Sequence, residues 1–215
     1  MRNGRIIFLN GTSSSGKSSI ARELLAILDG DPWFHLAVDG VNAMRANREV
    51  APEALDGILR RTRMGYHRAV AGMAAAGNDL VVDHILSEPW RLADLLDVLS
   101  GFDVFLVGVR CPLPELERRE RERGDRLPGA AAYQYARVHA HGVYDVEVDS
   151  GADTPRACAE QIRAYVEGAV SRGESPTAFA RLRAMAADEG EGHGEGEDAG
   201  EDAGDRVVPA GTRAS

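Results

Sequence analysis

The stretch FLNGTSSSGKSSI, Phe8 to Ile20, joins an apolar run to a glycine- and serine-rich loop and then to the start of an amphipathic segment. It also holds Lys17, the one lysine in a chain whose other 24 basic side chains are arginine. Within it GTSSSGKS, Gly11 to Ser18, fits G-x-x-x-x-G-K-[ST] at every fixed position. The flanks suit that motif: a strand-like run before it, and Ile20, Leu24, Leu25 and Leu28 at helical spacing after it. Gly11 and Gly16 let the backbone curl so that the N–H groups of Thr12, Ser13, Ser14, Ser15 and their neighbours face a phosphate. The helix that begins around Ser18 and Ser19 adds its partial positive N-terminus. Lys17 reaches the β- and γ-phosphates and the Ser18 hydroxyl ligates Mg²⁺. The lone lysine then has a reason, because a guanidinium is broad and rigid where this loop needs a compact cation on a flexible stem. A fortuitous Gly/Ser turn is the alternative; motif and context together favour a nucleoside triphosphate site.

Five short runs read as strands: RIIFLN (5–10), FHLAVD (34–39), DLVVD (79–83), DVFLVGV (103–109) and YDVEVD (144–149). The middle ones are apolar nearly throughout, as in strands covered on both faces. Helical patterns lie between them, at about 18–28, 52–76, 89–99, 113–123, 130–140, 155–170 and 176–187. In 52–76, Leu55, Ile58, Leu59, Thr62, Tyr66, Val70 and Met73 share one face, Pro52 suits a first turn and Gly77 an end. Strands alternating with helices imply an α/β fold with a parallel sheet and helices on both faces.

Residues 1–187 read as one kinase-like domain with a short lid at about 118–140, and 188–215 as an acidic Gly/Glu/Asp-rich tail. The tail has too few bulky apolar residues to offset the entropy of ordering it, and is expected to be disordered. It carries −7 of the chain's −9, so the body is near neutral and a nucleic-acid partner is not expected. No apolar run approaches the ~20 residues of a membrane span, and none resembles a signal peptide. Cys111 and Cys158 have neither metal-ligand nor disulfide-framework spacing. A reduced, cytoplasmic location is expected, with the oligomeric state open to a homo-oligomer.

Asp39 stands at the carboxyl end of the second strand, where ligands bind in open α/β sheets. It either accepts the proton of a substrate hydroxyl attacking the γ-phosphate or caps the next helix. Asp83, after LVV, either holds Mg²⁺ directly or through water, or is a turn-forming carboxylate. In ELERRERERGDRLPG, Arg118, Arg119 and Arg121 read as a solvated face. Arg123 and Arg126 flank a Gly–Asp break and fit a lid that closes over ATP, with plain surface charge as the alternative. The only lysine being Lys17 rules out the Asn-Lys-x-Asp segment of a GTPase.

IIFLNGTSSSGKSSI, LAVDGVNAM, LVVDHIL, VGVRC, RERGDRLPG and VYDVEVDS occur in the order and spacing of the chloramphenicol phosphotransferase-like family, which the chain resembles from about Arg5 to Val170. The resemblance implies an ATP- and Mg²⁺-dependent kinase of the three-layer P-loop fold, with strand order 2-3-1-4-5. It implies transfer of the γ-phosphoryl to a small-molecule hydroxyl, with chloramphenicol, and so antibiotic inactivation, as first expectation. The family's catalytic aspartate falls on Asp39 and its two lid arginines on Arg123 and Arg126. Val41, Met44, His84 and Trp90 stand on the acceptor side as substrate candidates. His84 takes the place of a second acidic residue in the family pattern, and residues 45–65 are rich in arginine. That departure opens a second reading, a zeta-toxin-like or metabolite kinase with an anionic acceptor. A third is a non-enzymatic, nucleotide-responsive binding protein.

His84 could equally be a buried or capping histidine, and Trp33 and Trp90 either pocket walls or core. His139 and His141, two apart on a helix, would face apart and do not suggest a metal site. The segment from Asp149 to Ala152 is, by analogy of fold, where adenine would meet backbone.

Overall fold

The computed structural model describes residues 2–46, 48–123 and 129–190. The elements in chain order are β1 (Ile6–Asn10), α1 (Lys17–Ile27), β2 (Phe34–Ala37), α2 (Val38–Ala43), α3 (Pro52–Ala75), β3 (Leu80–His84) and α4 (Pro89–Val98), followed by β4 (Val104–Arg110), α5 (Leu113–Arg123), α6 (Ala130–Tyr135), β5 (Val146–Asp149), α7 (Pro155–Ser171) and α8 (Ala178–Gly190). The five strands form one sheet in the order β2-β3-β1-β4-β5, all pairs parallel.

The strand sequences explain the layering. Side chains alternate across a strand, so a run apolar on both parities must be covered twice. Ile6 and Phe8 of β1, Leu80 and Val82 of β3, and Val104 and Leu106 of β4 join the core shared with Tyr66 and Val70 of α3, Leu95 of α4 and Phe179 of α8. Ile7, Leu9, Val81, Phe105 and Val107 join the opposite core with Ile20 and Leu24 of α1 and Ile162 and Val166 of α7. Full burial of each such side chain is worth about 1.5–3 kcal/mol. Pro52, Pro89 and Pro155 each stand in a first helical turn, where the missing N–H costs nothing.

Four local expectations shift. β2 ends at Ala37, and Asp39 lies in the first turn of α2 with Ala37 as the capping residue, so Asp39 neither ends a strand nor caps a helix. The helix expected at 130–140 stops at Tyr135 and continues as turns. Helix α8 runs to Gly190, past the expected boundary at 187, because the alanine-rich RAMAA segment favours helix. Trp33 precedes β2 and so stands at the amino edge of the sheet, away from the site, against the α1–α7 core and under the Arg5 guanidinium at 5.1 Å. The acidic tail from 191 onward lies outside the described residues.

Candidate active site

Parallel strands deliver the ends of β1, β2 and β3 to one edge of the sheet, and Lys17, Ser18, Asp39 and Asp83 converge on that edge. Between β1 and α1 the loop turns through Ser14 at φ 62° and Gly16 at φ 85°. At Gly11 a Cβ would stand 2.7 Å from both the Val109 carbonyl oxygen and Ser15 Oγ, so no side chain fits. Lys17 is buried, and its Nζ donates to the carbonyls of Gly11 at 2.8 Å and Thr12 at 2.7 Å while lying 4.0 Å from Asp83 Oδ1. Ser18 Oγ donates to Asp83 Oδ2 at 2.5 Å. Burial pushes the Asp83 carboxyl up. The His35 imidazole (3.8 Å, too long for a hydrogen bond by distance), Lys17 and Ser18 together outweigh that and hold it below the usual carboxylate range. An ionised carboxylate beside a hydroxyl is a hard-oxygen donor pair of the kind Mg²⁺ takes with phosphates and water completing its shell. Among the described residues no group of three or more His, Cys, Asp or Glu forms a metal cage by itself.

A cleft of about 300 Å³ is lined by Lys17, Ser18, Asp39, Asp83 and Arg123, with Arg22, Ile85 and Val38 among its other wall residues. Lys17, Asp39, Asp83 and Arg123, which span more than a hundred positions of chain, therefore share one cavity. Arg126 lies outside the described residues. Of the acceptor-side candidates, none is among the residues lining this cleft. Met44 is 82% exposed at the end of α2, Val41 packs toward the core, and His84 is fully buried. Trp90 is half-buried under the Arg60 guanidinium at 4.9 Å. His84 is a core-facing residue because β3 sends alternate side chains to opposite faces, and its neighbours there are Phe8, Tyr66 and His67.

Several supports had no signal in the sequence. The Gln134 side chain, from α6, accepts from the Ser13 amide at 2.7 Å, and Ser150 Oγ lies 2.7 Å from the Ser15 carbonyl. Arg119, expected on a solvated face, donates to the Ser150 carbonyl at 2.7 Å and to Glu115, and its guanidinium borders the Cα of Gly16. Glu120, buried, accepts from the Gly129 and Ala131 amides and so fixes the far side of the lid base. Asn10 Nδ2 donates to the Val138 carbonyl at 2.7 Å and Tyr144 Oη at 2.8 Å, and its Oδ1 accepts from the Leu86 amide. His139 and His141 both meet this network, at Tyr144 and Asn10 respectively, and burial, first among its causes, pulls the His139 imidazole down to about 3. A second cleft, of about 320 Å³, lies beyond the loop between Thr12, Arg110, Tyr135, His139 and Asp149.

Residues 4–167 match the family model described as chloramphenicol phosphotransferase-like protein. The chain belongs to the chloramphenicol phosphotransferase-like family. It is thus a phosphotransferase of the P-loop kinase type. Two Mycobacterium tuberculosis proteins, provisionally named O-phosphotransferases, are 31% identical to it over 209 aligned positions, covering 85% of this chain and 89% of theirs. Among solved structures, the APS kinase CysC of Mycobacterium tuberculosis, in complex with AMPPNP and APS, superposes with a TM-score of 0.55 at 20% identity, over 78% of this chain and 99% of that one. Shikimate kinase from Acinetobacter baumannii gives 0.53 at 15% identity, over 77% and 94%. At those identities the two structures speak for the fold alone.

Proposed function

We propose that this member of the family uses ATP and transfers its γ-phosphoryl group to a hydroxyl of a small molecule. The observation that carries the reading is the one cavity shared by the phosphate-loop lysine, a solvent-facing carboxylate at Asp39 and an arginine from the lid base. In this reading the loop amides and Lys17 hold the β- and γ-phosphates, and the second cleft, bounded by Asp149, takes the adenine. The acceptor hydroxyl lies between Asp39 and the γ-phosphorus. Its oxygen bonds to that phosphorus, the bond to the β–γ bridging oxygen breaks to leave ADP, and the hydroxyl proton passes to Asp39. Arg123 and Arg126 balance charge on the moving phosphoryl group. Ser18 and Asp83 would hold Mg²⁺, which supplies further neutralisation of the phosphates.

Chloramphenicol, the acceptor in the family's description, is the first to test. The protein is incubated with it, ATP and Mg²⁺, and the products are read by mass spectrometry beside the Lys17→Ala variant. A single phosphoryl adduct that vanishes with the variant supports both reaction and acceptor. No adduct from chloramphenicol or from a panel of hydroxylated metabolites, with nucleotide still bound, would sink the transferase reading and favour a nucleotide-responsive binding protein.

A further inference from the structure

His35 is the second residue of β2, and the sheet register pairs it with Val81 of β3. Strand side chains alternate, so His35, Val81 and Asp83 share one face of the sheet. Val81 packs with Ile20 and Leu24, which makes that face the one covered by α1. The first residues of α1, Lys17 and Ser18, stand at the carboxyl end of the same face. His35 is thus a diagonal neighbour of Asp83 on the adjacent strand, and its Nε2 stands 3.8 Å from Asp83 Oδ2.

That nitrogen is shut off from solvent, and among the described residues it has no hydrogen-bond partner. A buried polar atom left unpaired is uncommon enough in a folded protein to call for a reason. The gap to Oδ2 is about 0.9 Å longer than an ordinary N–H···O bond. Hydrogen bonds at a reaction site are often long before the substrate is in place and tighten with it. His35 has room for such a movement, because it lies on an edge strand and its side chain keeps 20% exposure. Asp83 has capacity for it as well. Its Oδ2 takes one hydrogen bond, from Ser18, and its Oδ1 lies 4.0 Å from Lys17 Nζ, while a carboxylate oxygen accommodates two donors. When Lys17 engages the phosphates, Ser18 and His35 are left as the side chains flanking that carboxylate.

We propose that His35 is a positioning residue for the metal: its Nε2–H donates to Asp83 Oδ2 and holds the carboxylate, with the Ser18 hydroxyl, in the orientation that Mg²⁺ requires. This rests on the phosphotransferase reading above and adds to it a residue that no phosphate-loop motif contains. Groups that ligate a metal are themselves held by outer hydrogen bonds, and losing one typically costs 10- to 100-fold in metal affinity. The role asks for a donor at the Nε2 position and not for a charge, so glutamine, whose amide nitrogen falls there, can fill it. An apolar side chain would occupy the space and leave Asp83 free to turn.

The test reads the metal apart from turnover. The full chain, in excess over AMPPNP so that the nucleotide is bound, is titrated at fixed pH with Mn²⁺, which takes the same oxygen ligands as Mg²⁺. Electron paramagnetic resonance follows the free ion. His35→Phe is expected to weaken Mn²⁺ binding at least tenfold, and His35→Gln to stay within about threefold of wild type. AMPPNP affinity in EDTA, by calorimetry, is expected to be the same in all three. His35→Val, whose side chain suits an edge strand, is the second apolar variant should His35→Phe fail to fold. Equal Mn²⁺ affinity in the wild type and a folded apolar variant overturns the proposal. So does a loss in His35→Gln as large as in the apolar variants, which is what packing alone would give. A loss of AMPPNP affinity in EDTA that matches the loss in metal overturns it too. A wild-type chain that binds AMPPNP neither in EDTA nor in Mg²⁺ overturns the nucleotide reading itself, and is seen before any variant is made.

Discussion

Replacing Gly11 by alanine tests the nucleotide loop without knowledge of the acceptor. The added methyl would lie 2.7 Å from the Val109 carbonyl oxygen, 2.7 Å from Ser15 Oγ and 3.2 Å from Val109 Cβ. The hydroxyl can rotate aside, but the carbonyl belongs to β4, which is buried on both faces and paired to β1 and β5. Loop and strand must therefore part by about 0.7 Å to restore ordinary contact, an overpacking that costs about 1–3 kcal/mol. For a domain of this size, each kcal/mol lowers Tm by about 2–4 °C, so a fall of about 5 °C is expected. The same displacement moves the amides of Thr12 to Gly16 off their aim. Losing one charge-assisted hydrogen bond, about 1.5–3 kcal/mol, weakens nucleotide binding about 10- to 100-fold. Thermal melts read the first number and calorimetry with AMPPNP and Mg²⁺ the second. Gly65→Ala is the control: Gly65 is an exposed residue within α3 and its Cβ would meet nothing within 4 Å, so the variant should gain about 0.5–1 kcal/mol. Wild-type Tm and nucleotide affinity in Gly11→Ala would refute the argument from close approach.

Asp39→Asn should lower turnover about 10²–10⁴-fold in the phosphoryl-transfer assay while leaving AMPPNP affinity near wild type, because the side chain is exposed and the phosphate loop is untouched; a turnover loss below tenfold would remove it as base. Asp79, almost fully buried, accepts from the Arg5 amide and from both the Arg5 and Arg2 guanidinia, so Asp79→Asn should cost about 2 kcal/mol in a denaturant titration, a reduced form of the buried-pair loss because Arg2 and Arg5 are partly exposed. Stability should also fall in acid in two stages. His67, His84, His139 and His141 have folded values below the unfolded one, burial being the first cause of each, so their contribution is full above about pH 6.5 and is lost as pH falls below it. Asp79 and Asp83 are also lowered, by Arg5 and Arg2 and by His35, Lys17 and Ser18 respectively, against the opposing effect of burial; their share is lost only below about pH 4. A Tm unchanged from pH 8 to pH 5 would contradict the histidine stage.

The phosphate loop, the alternation of strands and helices and the layering of the sheet were legible in the chain because each rests on local rules. A glycine must stand where backbone approaches backbone, strand side chains alternate, and one lysine among 24 arginines marks a place that a guanidinium does not fit. Asp39 and Asp83 were legible as carboxylates near strand ends for the same reason, although the sequence pattern ran the second strand two residues too far. What the tertiary structure alone decided is which distant groups meet. Gln134 on the Ser13 amide, Arg119 on the Ser150 carbonyl and Asn10 on the Tyr144 hydroxyl are contacts between positions 31 to 134 residues apart, and no periodicity encodes them. The arginines of residues 45–65 show the difference within a single run. The sequence pattern treated them alike, while the packing of α3 against α4 exposes Arg60 and Arg61 and buries Arg63 completely. Helix rotation sets that choice, and the rotation is fixed by the apolar face of α3 seating on the sheet, a property of the assembled core rather than of any residue in it.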